Sequence, residues 1–377
     1  MHVLIPALHR PTHPTGVCRH AANLAQCLAA IEGISRITLA IGQWQTQYFQ
    51  LAFDLASPKI EIESIEIANR TLARNRWYIF GLPNVAERLR VDLVHVSFPI
   101  PFVRRWFQSR IATSIHDLYP YECPENFGYP RVWFNRWFLE SSVSQSDGLC
   151  CVSETTQKSL ELYFPGARSR KPISVVYNYV DFAAPSPTVP AQLQSDPPES
   201  FVLCVAQHRK NKNLDILIES FAQLARNHRL SADTILVLVG SPGPETERIE
   251  ALVRDRSLAK RVTFLSRLSD RELAWLYDRC TLFVIPSSRE GFCLPLVEAL
   301  AFGCRVVCSN IPIFREVGAS LCYYFDLHTD PVKALSDRIL VALSHPRLEA
   351  SALEARFTKP AIARQLLDFY AQIPTLP

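Results

Sequence analysis

The segment LFVIPSSREGFCLPLVE, residues 282–298, places two glutamates, Glu290 and Glu298, within an otherwise apolar run. Its apolar start, Leu282–Ile285, predicts a buried strand, SSREG predicts a polar turn, and Pro295 is favoured in the first turn of a helix. Ligands of parallel sheets bind beyond the carboxyl ends of the strands, so Glu290 should face a ligand cleft. The segment therefore predicts a strand, a turn and a helix whose start forms a site.

The start of this predicted helix has the chemistry of an anion site. The first backbone N–H groups of a helix lack partners inside the helix, and the helix dipole places positive charge there. Glu298 would lie about one turn into the helix, where its carboxylate could accept two hydrogen bonds from a ribose diol. This geometry suggests a nucleotide sugar, with its diphosphate at the helix start and its sugar near Glu290. The alternative is that both glutamates only complement the helix dipole.

Strand and helix patterns alternate along the whole chain, which is typical of parallel, doubly wound sheets. The strand-length apolar runs are residues 3–5, 37–41, 93–96, 111–115, 148–152, 173–177, 201–205, 234–240, 262–265, 282–285 and 305–308. Between the two halves, residues 183–200 are rich in proline and predict a linker.

We therefore expect an α/β chain with two Rossmann-like domains that face a central cleft. The predicted boundaries are 1–182 for the first domain, 183–200 for the linker and 201–355 for the second domain. Residues 356–377 should form a C-terminal helix that packs back toward the first domain. The length of 377 residues agrees with this, because it exceeds what one hydrophobic core usually supports.

Composition excludes several classes of protein. The net charge of +4 is too small to indicate nucleic-acid binding, and no apolar window approaches the ~18 residues of a membrane-spanning helix. The 11 cysteines lack the paired spacing of a zinc site. Scattered cysteines in apolar runs indicate reduced, buried thiols, so we expect a cytoplasmic protein.

The motif around the two glutamates resembles that of glycosyltransferase family 4, whose members are retaining enzymes with the GT-B fold. Residues 290–300, EGFCLPLVEAL, are similar to the family's E-G-F-G-L-P-x-x-E-A motif. Other similar segments follow in the family's order and cover nearly the whole chain: TGVCRHAAN (15–23), TSIHDLYPYECPE (113–125), RKNKNLD (209–215), AFGCRVV (301–307) and FREV (314–317).

The resemblance implies three catalytic residues. Glu290 would contact hydroxyls of the donor sugar, Lys212 would stabilise charge on the donor diphosphate, and His116 would lie near the reacting sugar. Lys212 could instead be a solvated lysine at a helix start, and His116 a hydrogen-bonded loop histidine.

The resemblance also implies a set of donor-binding residues. Glu298 would bind the ribose, and Gly16 would let the backbone approach a phosphate, unless it is a simple turn glycine. Together with Lys212 and Glu290, the remaining members of the set are Gln207, Arg209, Gly291, Phe292, Cys293, Leu294 and Val297.

Two positions of the predicted donor site depart from the family's pattern. Gln207 stands where the family has an arginine that binds the diphosphate, and Arg209, two residues later, is the candidate substitute. Cys293 stands where the family has a second glycine, which predicts different packing around the sugar.

The resemblance predicts a retaining transferase that moves a hexose from a nucleotide-diphospho-sugar to a glycan or lipid-linked saccharide. GDP-mannose is the expected donor, because RKNKNLD and HDLYPYECPE are similar to the mannosyl and rhamnosyl branch, while UDP-glucose and dTDP-rhamnose remain open. No cofactor is expected, since the donor is a substrate, and the lack of an Asp-x-Asp motif predicts metal independence. The alternatives are a non-catalytic binding subunit and a nucleotide-sugar 2-epimerase.

Residues 68–110 interleave basic and aromatic side chains. This mixture suits an anionic membrane surface or a lipid-diphosphate acceptor. We therefore predict peripheral contact with the inner face of the plasma membrane, against the alternative of an ordinary surface with buried aromatics.

Overall fold

The computed structural model describes residues 1–180, 186–347 and 355–375. Residue contacts divide the chain into two compact units. Unit 1 consists of Met1–Val180 and Ala355–Pro377, and unit 2 of Asp181–Glu354. The proline-rich stretch after residue 185 therefore groups with unit 2, and the C-terminal helix groups with unit 1.

In the described part of unit 1, seven parallel strands form one sheet. They are β1 (His2–Pro6), β2 (Arg36–Gly42), β3 (Ile60–Ile65), β4 (Leu93–Val96), β5 (Arg110–Ile115), β6 (Gly148–Cys151) and β7 (Ile173–Val175). Their order is β3-β2-β1-β4-β5-β6-β7, with Val3 of β1 in register with both Ile37 and Leu93. The strand order reverses between β1 and β4, where doubly wound sheets open a crevice for ligands.

Helices cover this sheet because its central strands are buried and need apolar partners on both faces. They are α1 (Gly16–Ala29), α2 (Thr46–Ala52), α3 (Thr71–Arg76), α4 (Leu82–Arg88), α5 (Tyr119–Glu122), α6 (Arg131–Gln145), α7 (Glu154–Tyr163) and, from the C-terminus, α14 (Lys359–Gln372). A π-helical turn, Trp77–Gly81, joins α3 to α4.

The C-terminal helix α14 belongs to the core of unit 1. It packs against α1, and its Leu366 and Phe369 have no exposed surface. Gly148 makes room for it, because a Cβ there would lie 2.9 Å from the Ile373 side chain. The prediction that the C-terminal helix packs toward the first domain is therefore confirmed.

A buried polar network also ties α14 to the sheet. The Tyr370 hydroxyl contacts His95 Nδ1, and His95 Nε2 lies 2.8 Å from Ser114 Oγ. Ser114 Oγ is also 2.9 Å from Nε2 of His20, whose Nδ1 is 2.7 Å from Asn178 Oδ1. Burial lowers the pKa of His95 to about 3 and that of His20 well below its ordinary value, so both rings are neutral.

Unit 2 has six parallel strands among its described residues. They are β8 (Phe201–Val205), β9 (Ile235–Val239), β10 (Val262–Leu265), β11 (Leu282–Ile285), β12 (Val306–Ser309) and β13 (Cys322–Phe325). Their order is β10-β9-β8-β11-β12-β13, with Leu282 of β11 in register with Val202 of β8. This sheet reverses its strand order between β8 and β11, so its ligand crevice is expected there.

The helices of unit 2 follow the predicted alternation. They are α8 (Leu214–Arg226), α9 (Thr246–Asp255), α10 (Asp270–Arg279), α11 (Leu294–Ala301), α12 (Pro312–Gly318) and α13 (Pro331–Leu343). The two parallel sheets with flanking helices confirm the predicted α/β architecture of Rossmann-like type.

The burial of the cysteines and the length of the helices can be compared with the sequence predictions of buried thiols and of no membrane-spanning helix. All eleven cysteines are free thiols, and ten of them are buried. Across residues 1–180, 186–347 and 355–375, no helix combines the length and the apolar character that crossing a bilayer requires.

Candidate active site

Two loops of unit 2 meet where the strand order reverses. The first follows β8 and contains a 3₁₀ turn, Lys210–Lys212, and the second follows β11. The hydrogen bonds that join them include those from Asn211 Nδ2 to the Arg289 carbonyl at 3.0 Å, from the Ser288 amide to the Asn211 carbonyl at 2.8 Å, and from Asn213 Nδ2 to the Pro286 carbonyl at 2.9 Å. The loops therefore form one fixed platform at the crevice.

Lys212 and Glu290, both predicted to be catalytic, form an ion pair on this platform. Lys212 Nζ lies 2.6 Å from Glu290 Oε1, and the Ser287 hydroxyl donates to the same oxygen at 2.8 Å. The two side chains are 13% and 8% exposed. A pair so shielded from water is strongly coupled, so a ligand anion that approaches Lys212 also changes the environment of Glu290.

The helix after this platform begins close to the predicted residue. α11 starts at Leu294, with Pro295 in its first turn, and its N-cap is Cys293 at φ 70° and ψ 72°. Left-handed backbone is unfavourable for residues with a Cβ and is readily adopted by glycine. The backbone conformation thus explains why the resembling motif has glycine at this position, and shows that Cys293 holds the conformation against a steric cost.

We expect Cys293→Gly to leave stability within about 1 kcal/mol of the wild type, because relief of the left-handed conformation offsets the loss of a buried thiol. Cys293→Val should destabilise unit 2 by about 2 kcal/mol, because a β-branched residue is disfavoured at positive φ. Urea unfolding of the two variants measures this. Equal urea midpoints for the Val and Gly variants would show that the positive φ of residue 293 does not limit which residues this position tolerates.

Glu298 lies on α11 and is held by a tyrosine of α10. The buried Tyr277 hydroxyl donates to Glu298 Oε2 at 2.9 Å. Burial and the nearby carboxylate raise the pKa of Tyr277 well above its ordinary value, so the hydroxyl remains a donor. Tyr277 therefore fixes one oxygen of the predicted ribose-binding carboxylate.

Arg347 joins the ends of α10 and α11. Its Nη1 donates to the Cys280 carbonyl at 2.8 Å, and its Nη2 donates to the carbonyls of Tyr277 and Phe302 at 3.0 and 2.9 Å. These carbonyls belong to the carboxyl ends of the two helices, where carbonyls lack backbone N–H partners within the helix. The Tyr277 carbonyl also accepts from Cys304 Sγ at 3.1 Å. Arg347 thereby holds Tyr277 and Glu298 in a fixed relation.

The other predicted donor-binding residues of unit 2 differ in exposure. Gln207 is exposed, whereas Arg209, Gly291 and Leu294 are partly buried. Phe292 is 4% exposed and Val297 has no exposed surface, so the side chains of these two residues belong to the interior. For Phe292 and Val297, contact with a donor would have to come from the backbone.

The predicted site residues of unit 1 are Gly16 and His116. Gly16 is the first residue of α1, after the N-cap Thr15, and a Cβ built on it would have no described atom within 4 Å. His116 follows β5 and donates from Nε2 to the Ser97 carbonyl at 2.8 Å, and burial lowers its pKa. The ring is therefore neutral near pH 7 and carries its proton on Nε2, which leaves Nδ1 as an acceptor.

Family comparison covers both units. Residues 14–184 match the family model described as "Glycosyltransferase Family 4", and residues 186–359 match the model described as "Glycosyl transferases group 1". The chain belongs to the group 1 glycosyltransferases. This finding confirms the family assignment made from the motifs around Glu290 and Glu298.

Two curated relatives of this group 1 glycosyltransferase are named as mannosyltransferases. "O-antigen chain mannosyltransferase RfbU" of Salmonella typhimurium is 31% identical over 252 residues, which are 64% of this chain and 64% of the relative. "O-antigen chain mannosyltransferase B" of Escherichia coli is 28% identical over 239 residues, 62% of this chain and 61% of the relative. The matched region thus spans somewhat less than two thirds of either relative.

Among solved structures, sucrose-phosphate synthase from Thermosynechococcus elongatus superposes with a TM-score of 0.73 at 18% identity. The match covers 98% of both chains. At this identity the likeness establishes the fold, and it confirms the prediction of the GT-B type for this glycosyltransferase.

Sequence reasoning missed three residues that shape the site: Tyr277, Ser287 and Gly240. A Cβ on Gly240 would lie 1.9 Å from the Ala206 carbonyl oxygen, so only glycine lets the loop after β9 contact the loop after β8. The scarcity of glycine, with 12 in the chain, could have drawn attention to Gly240. Tyr277 and Ser287 give no such signal. The partner of Tyr277 lies on another helix, and the bond from Ser287 to Glu290, three residues later, depends on the backbone of a turn that the sequence does not specify.

Most aromatic side chains of residues 68–110, the segment predicted to contact a membrane, are not available at the surface. Trp77, Tyr78, Phe102 and Phe107 are buried in the core of unit 1. Phe80 and Trp106 remain exposed and stack on each other with ring centroids 5.4 Å apart. Most aromatics of this region therefore serve packing, as the alternative reading holds.

Proposed function

We propose that this protein transfers a hexose, with retention, from a nucleotide-diphospho-sugar to a saccharide or lipid-linked acceptor in polysaccharide biosynthesis. GDP-mannose is the proposed donor. The observation that carries the proposal is the Lys212–Glu290 pair, which lies 2.6 Å apart at the strand-order reversal of unit 2. The two relatives named as O-antigen mannosyltransferases support the choice of mannose and of this class of acceptor.

In the proposed mechanism, charged and polar groups of unit 2 bind the donor. The diphosphate lies at the amino end of α11 and against Lys212, while Glu290 accepts hydrogen bonds from hydroxyls of the sugar. Negative charge on the diphosphate grows as the bond to the sugar breaks, so Lys212 binds the transition state more strongly than the ground state. Lys212 then turns from Glu290 toward the phosphate, or binds both.

The configuration at the reacting carbon of the sugar is retained because the acceptor attacks the same face of the sugar from which the diphosphate leaves. The acceptor hydroxyl forms the new C–O bond as the bond to the diphosphate oxygen breaks, and its proton passes to the departing phosphate. This route needs no protein nucleophile, which agrees with Glu290 being held by Lys212 and Ser287. His116 is proposed to contact the reacting sugar as a neutral ring. We also propose that transfer is independent of metal ions and of any cofactor.

The acceptor class suggests the place of action. A protein that glycosylates a lipid-linked saccharide made in the cytoplasm would work at the inner face of the plasma membrane. We therefore propose a cytoplasmic protein that contacts an anionic membrane peripherally.

A thermal-shift panel of nucleotide sugars, recorded with and without EDTA, tests the proposal. We expect GDP-mannose to raise the unfolding temperature by several degrees at saturating concentration, more than UDP-glucose or dTDP-rhamnose, since ligands that bind the native state stabilise it. EDTA should leave the shift unchanged. If no nucleotide sugar stabilises the protein, a non-catalytic subunit is the better description. Epimerised sugar without nucleoside diphosphate release would instead indicate a 2-epimerase.

A further inference from the structure

Helix α6 of unit 1 carries a cluster of exposed aromatic side chains. Trp133, Phe134 and Trp137 are 60%, 59% and 53% exposed. Their spacing of one and four residues places them on one side of the helix. Tyr129, which is 71% exposed and precedes α6, packs edge-on against Trp133 with ring centroids 5.2 Å apart. We call Tyr129, Trp133, Phe134 and Trp137 the α6 aromatic surface.

An exposed aromatic cluster of this kind indicates a binding surface. Side chains of this size usually contribute much buried area to a core, so adjacent exposed ones are costly unless a partner covers them. The opposite side of α6, including Val132, Leu139 and Val143, is buried in unit 1. The helix is thus already fixed to its own unit by one face, and the aromatic face remains for a partner.

The residue types favour a membrane interface over a protein core as that partner. Tryptophan and tyrosine have an apolar ring and a polar atom, and both are enriched at the boundary between lipid and water. α6 has 15 residues, fewer than the ~20 needed to span a bilayer. A short helix with aromatics on one side is suited to lie in the headgroup region.

Charge favours an anionic bilayer. Residues 126–139 contain Arg131 and Arg136 and no Asp or Glu, while Glu125 and Glu140 lie at the ends of this segment. Glu140 accepts a hydrogen bond from the Tyr121 hydroxyl. Over the whole chain, unit 1 carries 21 Lys and Arg against 15 Asp and Glu, whereas unit 2 carries 19 against 21. The excess positive charge is thus in the unit that carries the aromatic surface, and anionic lipid attracts it.

We propose that the α6 aromatic surface docks unit 1 on an anionic lipid bilayer, with the four rings in the headgroup region and Arg131 near lipid phosphates. This inference rests on the membrane contact proposed above and moves it from residues 68–110 to α6. It makes α6 the element that brings the protein to a lipid-linked acceptor.

Vesicle co-sedimentation tests the inference. The probes are the full-length protein and two vesicle types, phosphatidylcholine alone and phosphatidylcholine mixed with phosphatidylglycerol. We expect the wild type to bind the anionic vesicles more tightly than the neutral ones, and less tightly at high salt. The triple variant Trp133→Ser, Phe134→Ser, Trp137→Ser should bind the anionic vesicles at least about tenfold more weakly, because it removes the apolar part of the contact.

Two control variants make the result specific to α6. Leu51→Ser changes an 80% exposed apolar side chain on α2 and should bind like the wild type. Phe80→Ser combined with Trp106→Ser removes the two exposed aromatics of residues 68–110 and should also bind like the wild type. Because the α6 side chains are exposed, the triple variant should keep the wild-type unfolding temperature and the same shift with GDP-mannose.

The possible failures are distinguishable. Binding of the triple variant equal to that of the wild type, or loss of binding in the Phe80/Trp106 variant instead, overturns the α6 inference but leaves the membrane contact. If the wild type binds neither vesicle, both fail, while the GDP-mannose shift still reports on the donor site. A tryptophan fluorescence change with mannotriose that the triple variant lacks, without vesicle binding, would assign the surface to saccharide and overturn the inference. A wild-type dimer that the triple variant abolishes, again without vesicle binding, would assign it to a second copy and also overturn it.

Discussion

Lys212→Ala is expected to lower the rate of glycosyl transfer by about 10²- to 10³-fold, the usual loss when one preorganised group that stabilises transition-state charge is removed. The reason is the position of Lys212 at the strand-order reversal, beside the start of α11, where the leaving diphosphate is proposed to bind. Nucleoside diphosphate release, measured with the donor and acceptor that the wild type uses, reports the loss. A rate close to that of the wild type would contradict the assignment.

Stability must be separated from catalysis in this experiment. Removing Lys212 leaves Glu290, which is 8% exposed, without its cation, and breaking so buried a pair costs about 3 kcal/mol. The double variant Lys212→Met, Glu290→Gln removes both charges and should recover most of that stability, yet it should remain inactive. Lys210→Ala, an exposed lysine in the same turn, is the matched control and should keep wild-type activity and stability.

The central strands of both sheets could be predicted from the sequence because they are buried on both faces. Such strands appear as short apolar runs, as in LFVI of β11. The two strands that were not predicted, β3 and β13, are each at an edge of a sheet. Strand β3, IEIESI, alternates apolar residues with glutamates and is mostly only partly buried, so it lacks the continuous apolar run of a central strand.

The residue types of the site could be predicted, but their contacts could not. Lys212 and Glu290 are 78 residues apart in sequence, and they meet only because β8 and β11 are neighbours in the sheet. Strand order does not follow from local periodicity, so the sequence identified Lys212 and Glu290 as two separate candidates and did not predict their contact. The same holds for Tyr277 and Glu298, which come from different helices. Cys293 was recognised as a departure, but its cause, a positive φ, required the backbone.

Glu298→Ala is expected to weaken GDP binding by about 100-fold, because a carboxylate that accepts two ribose hydroxyls loses two charge-assisted hydrogen bonds of about 1.5 kcal/mol each. Tyr277→Phe should weaken GDP binding by about tenfold, since the carboxylate stays but loses the hydroxyl that lies 2.9 Å from its Oε2. Calorimetric titration with GDP and with 2′,3′-dideoxy-GDP measures both effects. The wild type should prefer GDP strongly, whereas Glu298→Ala should bind the two nucleotides equally.

A control variant decides between this role and the alternative that Glu298 only complements the helix dipole. Glu247 is an exposed glutamate in the first turn of α9, and Glu247→Ala should change stability by about 0.5 kcal/mol with no effect on GDP. If Glu298→Ala behaves in the same way, Glu298 acts on the dipole alone. If it loses the preference for GDP over the dideoxy nucleotide, the carboxylate binds the ribose. The loss in Tyr277→Phe then measures what α10 contributes by orienting that carboxylate, since phenylalanine preserves the ring that stacks on Phe302.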